Sequence, residues 1–405
     1  MTHGHEHDAG HEGEHKRAGD GRTKAKPQTR HENQHENSSE SGHEGPPPPS
    51  EPAALLVIGE VATDVIARHS APLEHGTDTA ARIRIIPGGA AANVACWAAR
   101  KSPVHEVRLF GRVGQAEEQW HCAHLRATGV RPVLVVDDNA STTTVVSLVD
   151  ATAERTFLTD SGALQRFGPT DWSPTLLDGV GHVHLSGYLL FSDSSRQLAR
   201  LARESARARG ITVSMDPASA GFIRQRGVAE VLAELDSVHL LVPNADEARL
   251  LAGLPDVAAS AAALSRRVPL VVVTLGEGGA LVATAGAVTA RVPARAVEAL
   301  DSTGAGDAFT GGFLAAWLSG ADTVTAASAG CRAGTEAVTL PGGRPPLSPD
   351  TRPTDTVSSG IGPTSAASSE TGPTSTVPSG TTPSDAVCPI TACSDTAQSM
   401  PPHAG

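Results

Sequence analysis

Short, unbroken apolar runs set between helical stretches constrain this chain more than any other feature. Leu55-Leu56-Val57-Ile58, Val107-Arg108-Leu109-Phe110, Val183-His184-Leu185, Ile211-Thr212-Val213, Leu240-Leu241-Val242 and Leu270-Val271-Val272-Val273-Thr274 read as strands. Several lack the polar alternation of a half-wet strand, so helices must cover both faces of their sheet. Ala/Leu/Arg stretches such as Ser195–Gly210 and Val228–Leu235 lie between them, with Gly210 as a helix stop. The order predicts an α/β fold, a doubly wound and mostly parallel sheet flanked by helices. Ligands in such sheets bind beyond the carboxyl ends of the strands.

A second kind of strand alternates strictly. Arg82-Ile83-Arg84-Ile85 does so, and Thr142–Val149 with Arg155–Thr159 reads as a hairpin around Asp150–Glu154. Period-two alternation implies one packed face and one wet face. These strands, within about 82–86 and 133–160, predict a small antiparallel β lid beside the main sheet. A lid excludes water from a reaction site. Its exposed edge invites pairing with the lid of a second copy, hence a homodimer.

The two ends of the 405-residue chain differ in kind from its middle. Residues 1–52 are almost free of aliphatic side chains and interleave His3, His5, His7, His11, His15, His31, His35 and His43 with glutamates. Residues 347–405 are dominated by Ser, Thr, Pro and Ala. Neither end buries enough apolar surface to offset its ordering entropy, so two disordered tails are expected around one domain, 53–346. Clustered imidazoles leave weak capture of Zn²⁺ or Ni²⁺ open as a use for the first tail.

A formal net charge of −12 argues against nucleic acid or an anionic membrane as partner. Cys96, Cys122, Cys331, Cys388 and Cys393 form no zinc-type pairs in the core, which suits a reduced compartment. No secretory apolar region is visible and no apolar run approaches the ~20 residues of a membrane span. A cytoplasmic location is expected.

Chemistry concentrates in Asp301-Ser302-Thr303-Gly304-Ala305-Gly306-Asp307, which runs into a helix carrying Phe309, Phe313, Leu314, Trp317 and Leu318 and stopping at Gly320. Gly304, Ala305 and Gly306 sit where backbone N–H groups lack intrahelical partners, and small residues let a phosphate approach those amides. That makes a hole for charge developing during phosphoryl transfer. Asp307, ionised and beside the phosphate, can take the proton of an attacking hydroxyl. A bare Gly-x-Gly-Asp is also an ordinary turn before an acidic helix start.

The string Asp301–Phe309 resembles the C-terminal signature of the ribokinase-like (PfkB) carbohydrate kinases, with Ser302 for the commoner Thr. Pro87-Gly88-Gly89-Ala90-Ala91-Ala92-Asn93-Val94-Ala95, followed by Gly111-Arg112-Val113-Gly114, is similar to the N-terminal one. Gly59 with Asp64, Glu154 through Ala163, Asp216-Pro217, Asn244 to Glu247, and Thr274 to Gly279 match in the same order.

The resemblance implies an ATP-dependent phosphotransferase acting on a hydroxyl of a small sugar or sugar-like molecule, with ATP and Mg²⁺ as cofactors. It implies that Asp64, Gly88, Gly89, Asn93 and Glu154 bind substrate. Asn244, Thr274, Gly276 and Gly279 would bind ATP, and Glu247 would hold Mg²⁺ through water. Asp301 and Thr303, with carbonyls around Ala337–Gly342, resemble the site where many relatives hold a monovalent cation such as K⁺.

The chain also departs from the pattern. Ala90 and Ala91 stand where ribokinases usually carry a Lys, and Gln115, Ala116 and Trp120 replace residues usual on the substrate side. The sugar's identity is therefore open. Asp216-Pro217-Ala218-Ser219 is similar to pseudouridine and nucleoside kinases, so a nucleoside is an alternative substrate. A catalytically weak sugar-binding regulator is a second alternative. No Gly-x-x-x-x-Gly-Lys-Ser/Thr string exists for a P-loop, and Gly59 to Asp64 lacks the dinucleotide fingerprint.

Overall fold

The computed structural model describes residues 53–347, apart from 103–105 and 153. The expectations for the His/Glu-rich segment and for the Ser/Thr/Pro-rich segment with Cys388 and Cys393 lie outside the described residues.

The chain opens with β1 (Ala54–Ile58), β2 (Ala62–His69) and β3 (Ala81–Gly88), then α1 (Ala90–Lys101). β4 (Val107–Gly114), α2 (Glu118–Ala127) and β5 (Val130–Asp137) follow, and then the hairpin of β6 (Thr143–Val149) and β7 (Arg155–Asp160). Next come β8 (Val180–Ser186), α3 (Asp193–Ala208), β9 (Thr212–Asp216), α4 (Ala220–Arg226), α5 (Val228–Ala233) and β10 (Leu240–Leu241). The last part holds α6 (Ala245–Ala252), α7 (Val257–Leu264), β11 (Leu270–Thr274), β12 (Ala280–Thr284), β13 (Ala287–Val292), α8 (Ala305–Leu318) and α9 (Thr323–Ala337).

One large sheet has the order β13-β12-β11-β10-β9-β8-β1-β4-β5. Every pairing from β11 through β5 is parallel, and β12 and β13 close one edge antiparallel. Its central strands separate two apolar cores. Leu56 and Ile58 of β1 join one core with Val183, Val213, Leu198 and Leu264. Leu55 and Val57 join the other with Leu109, Val94, Phe313 and Cys331. Helices on both sides are what the unbroken apolar runs require.

On the second side α1, α8 and α9 pack closely because small residues face one another. A Cβ on Gly311 would stand 2.7 Å from the carbonyl oxygen of Val94, and one on Gly312 would stand 2.6 Å from Ala333 Cβ. Adding carbon at either position would push the helices apart, so the glycine pair fixes where α8 begins relative to α1.

The smaller sheet has the order β3-β2-β6-β7. β2–β3 and β6–β7 are antiparallel, while β2 and β6 pair parallel along its middle. Two placements refine the sequence reading. Asp64, expected just past the first strand, lies inside a strand of its own, β2. The stretch up to Asp137 forms β5 at the edge of the large sheet, leaving β6 and β7 to the small one.

Register gives the small sheet two unlike faces. Ile83 and Ile85 of β3, Val65 of β2, Val146 and Leu148 of β6 and Leu158 of β7 share the outer face. Asp64 and Arg155 share the other. The charged face is turned toward the start of α8.

Candidate active site

The site assembles where α8 begins. Gly304 caps the helix with φ +71°, and a Cβ there would stand 2.4 Å from Gly343 Cα. Both facts demand glycine. Gly306 differs, since an added Cβ would meet nothing within 4 Å. That open space belongs to two cavities, both lined by Gly306. First-turn amides have no intrahelical acceptor, and the helix dipole adds positive potential there. An anionic oxygen fits the hollow beside Gly306.

Asp307 is partly buried beside that hollow. Asn93 Nδ2, on α1, donates a 2.8 Å hydrogen bond to Asp307 Oδ2. Among the described residues no cation pairs with Asp307. Burial pushes its pKa up to about 7; the Asn93 hydrogen bond opposes this, while Glu60 and Asp64 add to it. A carboxyl poised there ionises near neutrality and accepts a proton readily.

Asp307 lines a cavity of about 200 Å³ with Tyr188, Asp216, Asn244, Glu247 and Gly306. Burial raises the pKa of Asp216, and the nearby Glu247 charge raises it further. Glu247 is raised to about 7, again by burial first. These carboxylates face one another around the same cavity.

The sequence-predicted substrate residues gather on the lid side. Asp64 abuts Gly88, where a Cβ would stand 2.2 Å from its carboxylate oxygen. Burial raises Asp64 to about 6 against the opposing charge of Arg344. Gly89 has φ +94°, and a Cβ there would stand 2.6 Å from the Glu60 carbonyl oxygen. The buried Asn93 keeps its Oδ1 without a protein partner. Glu154 is not brought in. It is exposed in the β6–β7 turn, where its N–H bonds Asp150 Oδ1 at 3.0 Å.

Thr274, Gly276 and Gly279 line a cavity of about 390 Å³ with Val297, Phe309 and Val338. It shares Thr274 and Gly306 with the cavity of Asp307, so the two meet at the α8 start. Asn244 is the N-cap of α6. Its Oδ1 accepts from the N–H groups of Asp246 and Glu247 at 2.9 Å, and the Glu247 carboxylate accepts from the N–H and Nδ2 of Asn244. The pair is a reciprocal capping box.

Among the described residues no three carboxylate, imidazole or thiol groups converge as a metal site. Glu247, which lines one cavity with Asp216 and Asp307, fits a divalent cation only through intervening water.

Asp301 and Thr303 come together, with a third partner the sequence reading did not name. Arg155 of β7 donates to Asp301 Oδ1 at 2.6 Å and to Thr303 Oγ1 at 2.5 Å. Burial raises the Asp301 pKa, but the bonds from Thr303 and Gly342 and the Arg155 charge outweigh it and hold the carboxyl below its ordinary value. Arg344 and Tyr188 were missed as well. Arg344 donates to the Gly88 carbonyl at 2.8 Å and Tyr188 lines the Asp307 cavity. The Glu154-Arg155 dipeptide held the one available signal, a charged pair at a hairpin end.

Residues 53–350 match the family described as pfkB family carbohydrate kinase. The chain is 30% identical over 283 residues to a fructokinase of Klebsiella pneumoniae, covering 64% of this chain and 83% of that protein. It is 31% identical over 275 residues to an ATP-dependent ribose-1-phosphate kinase of Halopiger xanaduensis, covering 66% and 86%. Among solved structures, an adenosine kinase from Sinorhizobium meliloti superposes with a TM-score of 0.66 at 25% identity, covering 73% of this chain and 96% of that one. An Arabidopsis thaliana ribokinase complexed with ribose and ATP gives 0.61 at 21%, covering 72% and 94%, a likeness of fold.

Proposed function

The chain belongs to the pfkB family of carbohydrate kinases, and from that premise we propose that it transfers the γ-phosphoryl group of ATP to a hydroxyl of a small sugar or sugar-like acceptor. One observation carries this reading: Asp307, unpaired by any described cation, stands where two cavities meet at an open helix start. Asp307 takes the acceptor's proton while Asn93 holds the carboxylate in place. The amides of Gly304, Ala305 and Gly306 stabilise charge on the transferring group. Asp64 orients the acceptor's hydroxyls. The cleft of Thr274, Gly276 and Gly279 takes the nucleotide, its apolar wall of Val297, Phe309 and Val338 facing the base. Mg²⁺ held near Glu247 through water neutralises phosphate charge when bound.

An ADP-release screen over sugars, sugar phosphates and nucleosides with Mg²⁺ tests the reading, run beside Asp307→Asn. Nucleosides belong in the panel because a structural neighbour is an adenosine kinase. ADP release with one acceptor class, lost in the variant, is the expected result. Silence across the panel, with sugar binding still measurable, would instead favour a regulator that binds without turnover.

The small sheet closes over this site as a lid, and its outer face mates with a second copy. Ile83, Ile85 and Leu158 are 62%, 63% and 57% exposed there, beside Val65, Val146 and Leu148. A contiguous apolar face of this kind on an outward-facing sheet supports a protein contact.

A further inference from the structure

We propose that the Arg155 guanidinium is a built-in counter-cation for the loop leading into α8, standing where a dissociable monovalent cation would otherwise be held. Asp301 is 4% exposed as a side chain and needs a counter-charge, because its carboxylate sits at the foot of the anion hole. The Asp301 carboxylate, the Thr303 hydroxyl and two of the carbonyls a hard cation would use are engaged. Asp301 Oδ1 accepts from Arg155 and from the Thr303 N–H at 2.9 Å, and Oδ2 accepts from the Gly342 N–H at 3.2 Å. The Thr303 hydroxyl oxygen accepts from Arg155. The Val338 carbonyl accepts from the N–H groups of Leu300 and Asp301, and the Ala337 carbonyl accepts from that of Leu340. Carboxylate, hydroxyl and carbonyl oxygens suit a hard cation, but these carry N–H donors already.

A guanidinium fills this place differently from an ion. It brings directional donors in a fixed fork, so it holds Asp301 and Thr303 in one relative position. It is also tethered to β7, on the same face of the small sheet as Asp64. The cation that shapes the loop before Gly304 therefore arrives with the lid rather than from solution. Arg155 acts through Asp301 and Thr303 and is a positioning residue.

The test compares thermal unfolding of the full chain in KCl and in tetramethylammonium chloride at matched ionic strength, a readout that needs no sugar substrate and so stands apart from the proposed activity. The wild type is expected to melt within about 1 °C in the two salts, since no K⁺-binding state is gained. Arg155→Ala is expected to lose about 5 °C or more in tetramethylammonium, because a buried carboxylate is left unpaired, and to regain about 4 °C specifically in KCl. If Arg155→Ala folds only in KCl, recovery of soluble protein is the same rescue. Arg155→Lys, which keeps the charge, is expected to remain indifferent to K⁺. A K⁺-specific gain in the wild type overturns the proposal, as does an Arg155→Ala protein that KCl does not rescue.

Discussion

Asn93 Nδ2 and Asp307 Oδ2 lie 2.8 Å apart across 214 positions of sequence. The bond joins α1, entered directly from the small sheet, to the first turn of α8. It orients one carboxylate oxygen and leaves the other to the cavity. The same helices are held close by Gly311 against Trp97 and Val94, so the geometry of this pair rests on side chains that have no chemistry of their own.

Replacing Asp307 by Asn should reduce kcat by a factor of about 10²–10⁴, the range of a lost general base. It should also raise Tm by about 2–4 °C, because a buried carboxylate crowded by Glu60 and Asp64 is neutralised. Steady-state kinetics and a melting curve check both. Unchanged turnover would remove Asp307 from the mechanism.

The pH dependence follows from the same carboxyl. Its folded pKa of about 7 lies above the ordinary carboxylate value, so the base is protonated and idle below that point. kcat/KM should rise about tenfold per pH unit up to about 7 and then level. Stability has the opposite sign. The folded state holds a proton that the unfolded chain releases, so this group's destabilising contribution grows as pH climbs from about 4 to about 7 and is relieved on acidification. A rate profile that stays flat down to about pH 5 would contradict the assignment.

Gly304 and Gly306 should separate folding from function. Gly306→Ala adds a methyl to open space where phosphate oxygens belong, so turnover should fall by about 10-fold or more through misplacement while Tm holds or rises. Gly304→Ala meets the Gly343 backbone at a positive φ and should cost about 1–3 kcal/mol of stability. Equal melting of the two variants would refute the distinction.

The outer face of the small sheet should govern oligomeric state. Ile85→Lys places a charge on the exposed edge strand of that face and should turn a dimer into a monomer in sedimentation equilibrium. The fold should shift by less than about 0.5 kcal/mol, as for an exposed position. A wild type that is monomeric at all concentrations would sink this reading.

Much of this was legible in the sequence, for physical reasons. Runs such as Leu55–Ile58 and Leu270–Thr274 have no polar face because two cores need them, and that pattern names a doubly covered sheet without coordinates. Gly304 and Asp307 are readable because backbone strain and helix-start chemistry are local. β2 was not readable. Asp64 interrupts its apolar pattern on the face that it shares with Arg155. β12 and β13 lie in Ala-rich sequence with weak alternation. The Arg155–Asp301 pair spans 146 positions, and no spacing rule relates a hairpin end to a distant loop. Glu154 was expected from the resemblance, but it lies in the turn before β7, and it is Arg155 that reaches Asp301 and Thr303.

Because β2 and β6 run side by side in parallel, the small sheet is not a hairpin hung on a single stem. It is one plate fed by two separate stretches of chain, with Asp64 riding on one strand and Arg155 on another two strands away. Any tilt of that plate moves both residues together. Under the proposed lid role, acceptor grip and loop alignment would then share that single displacement.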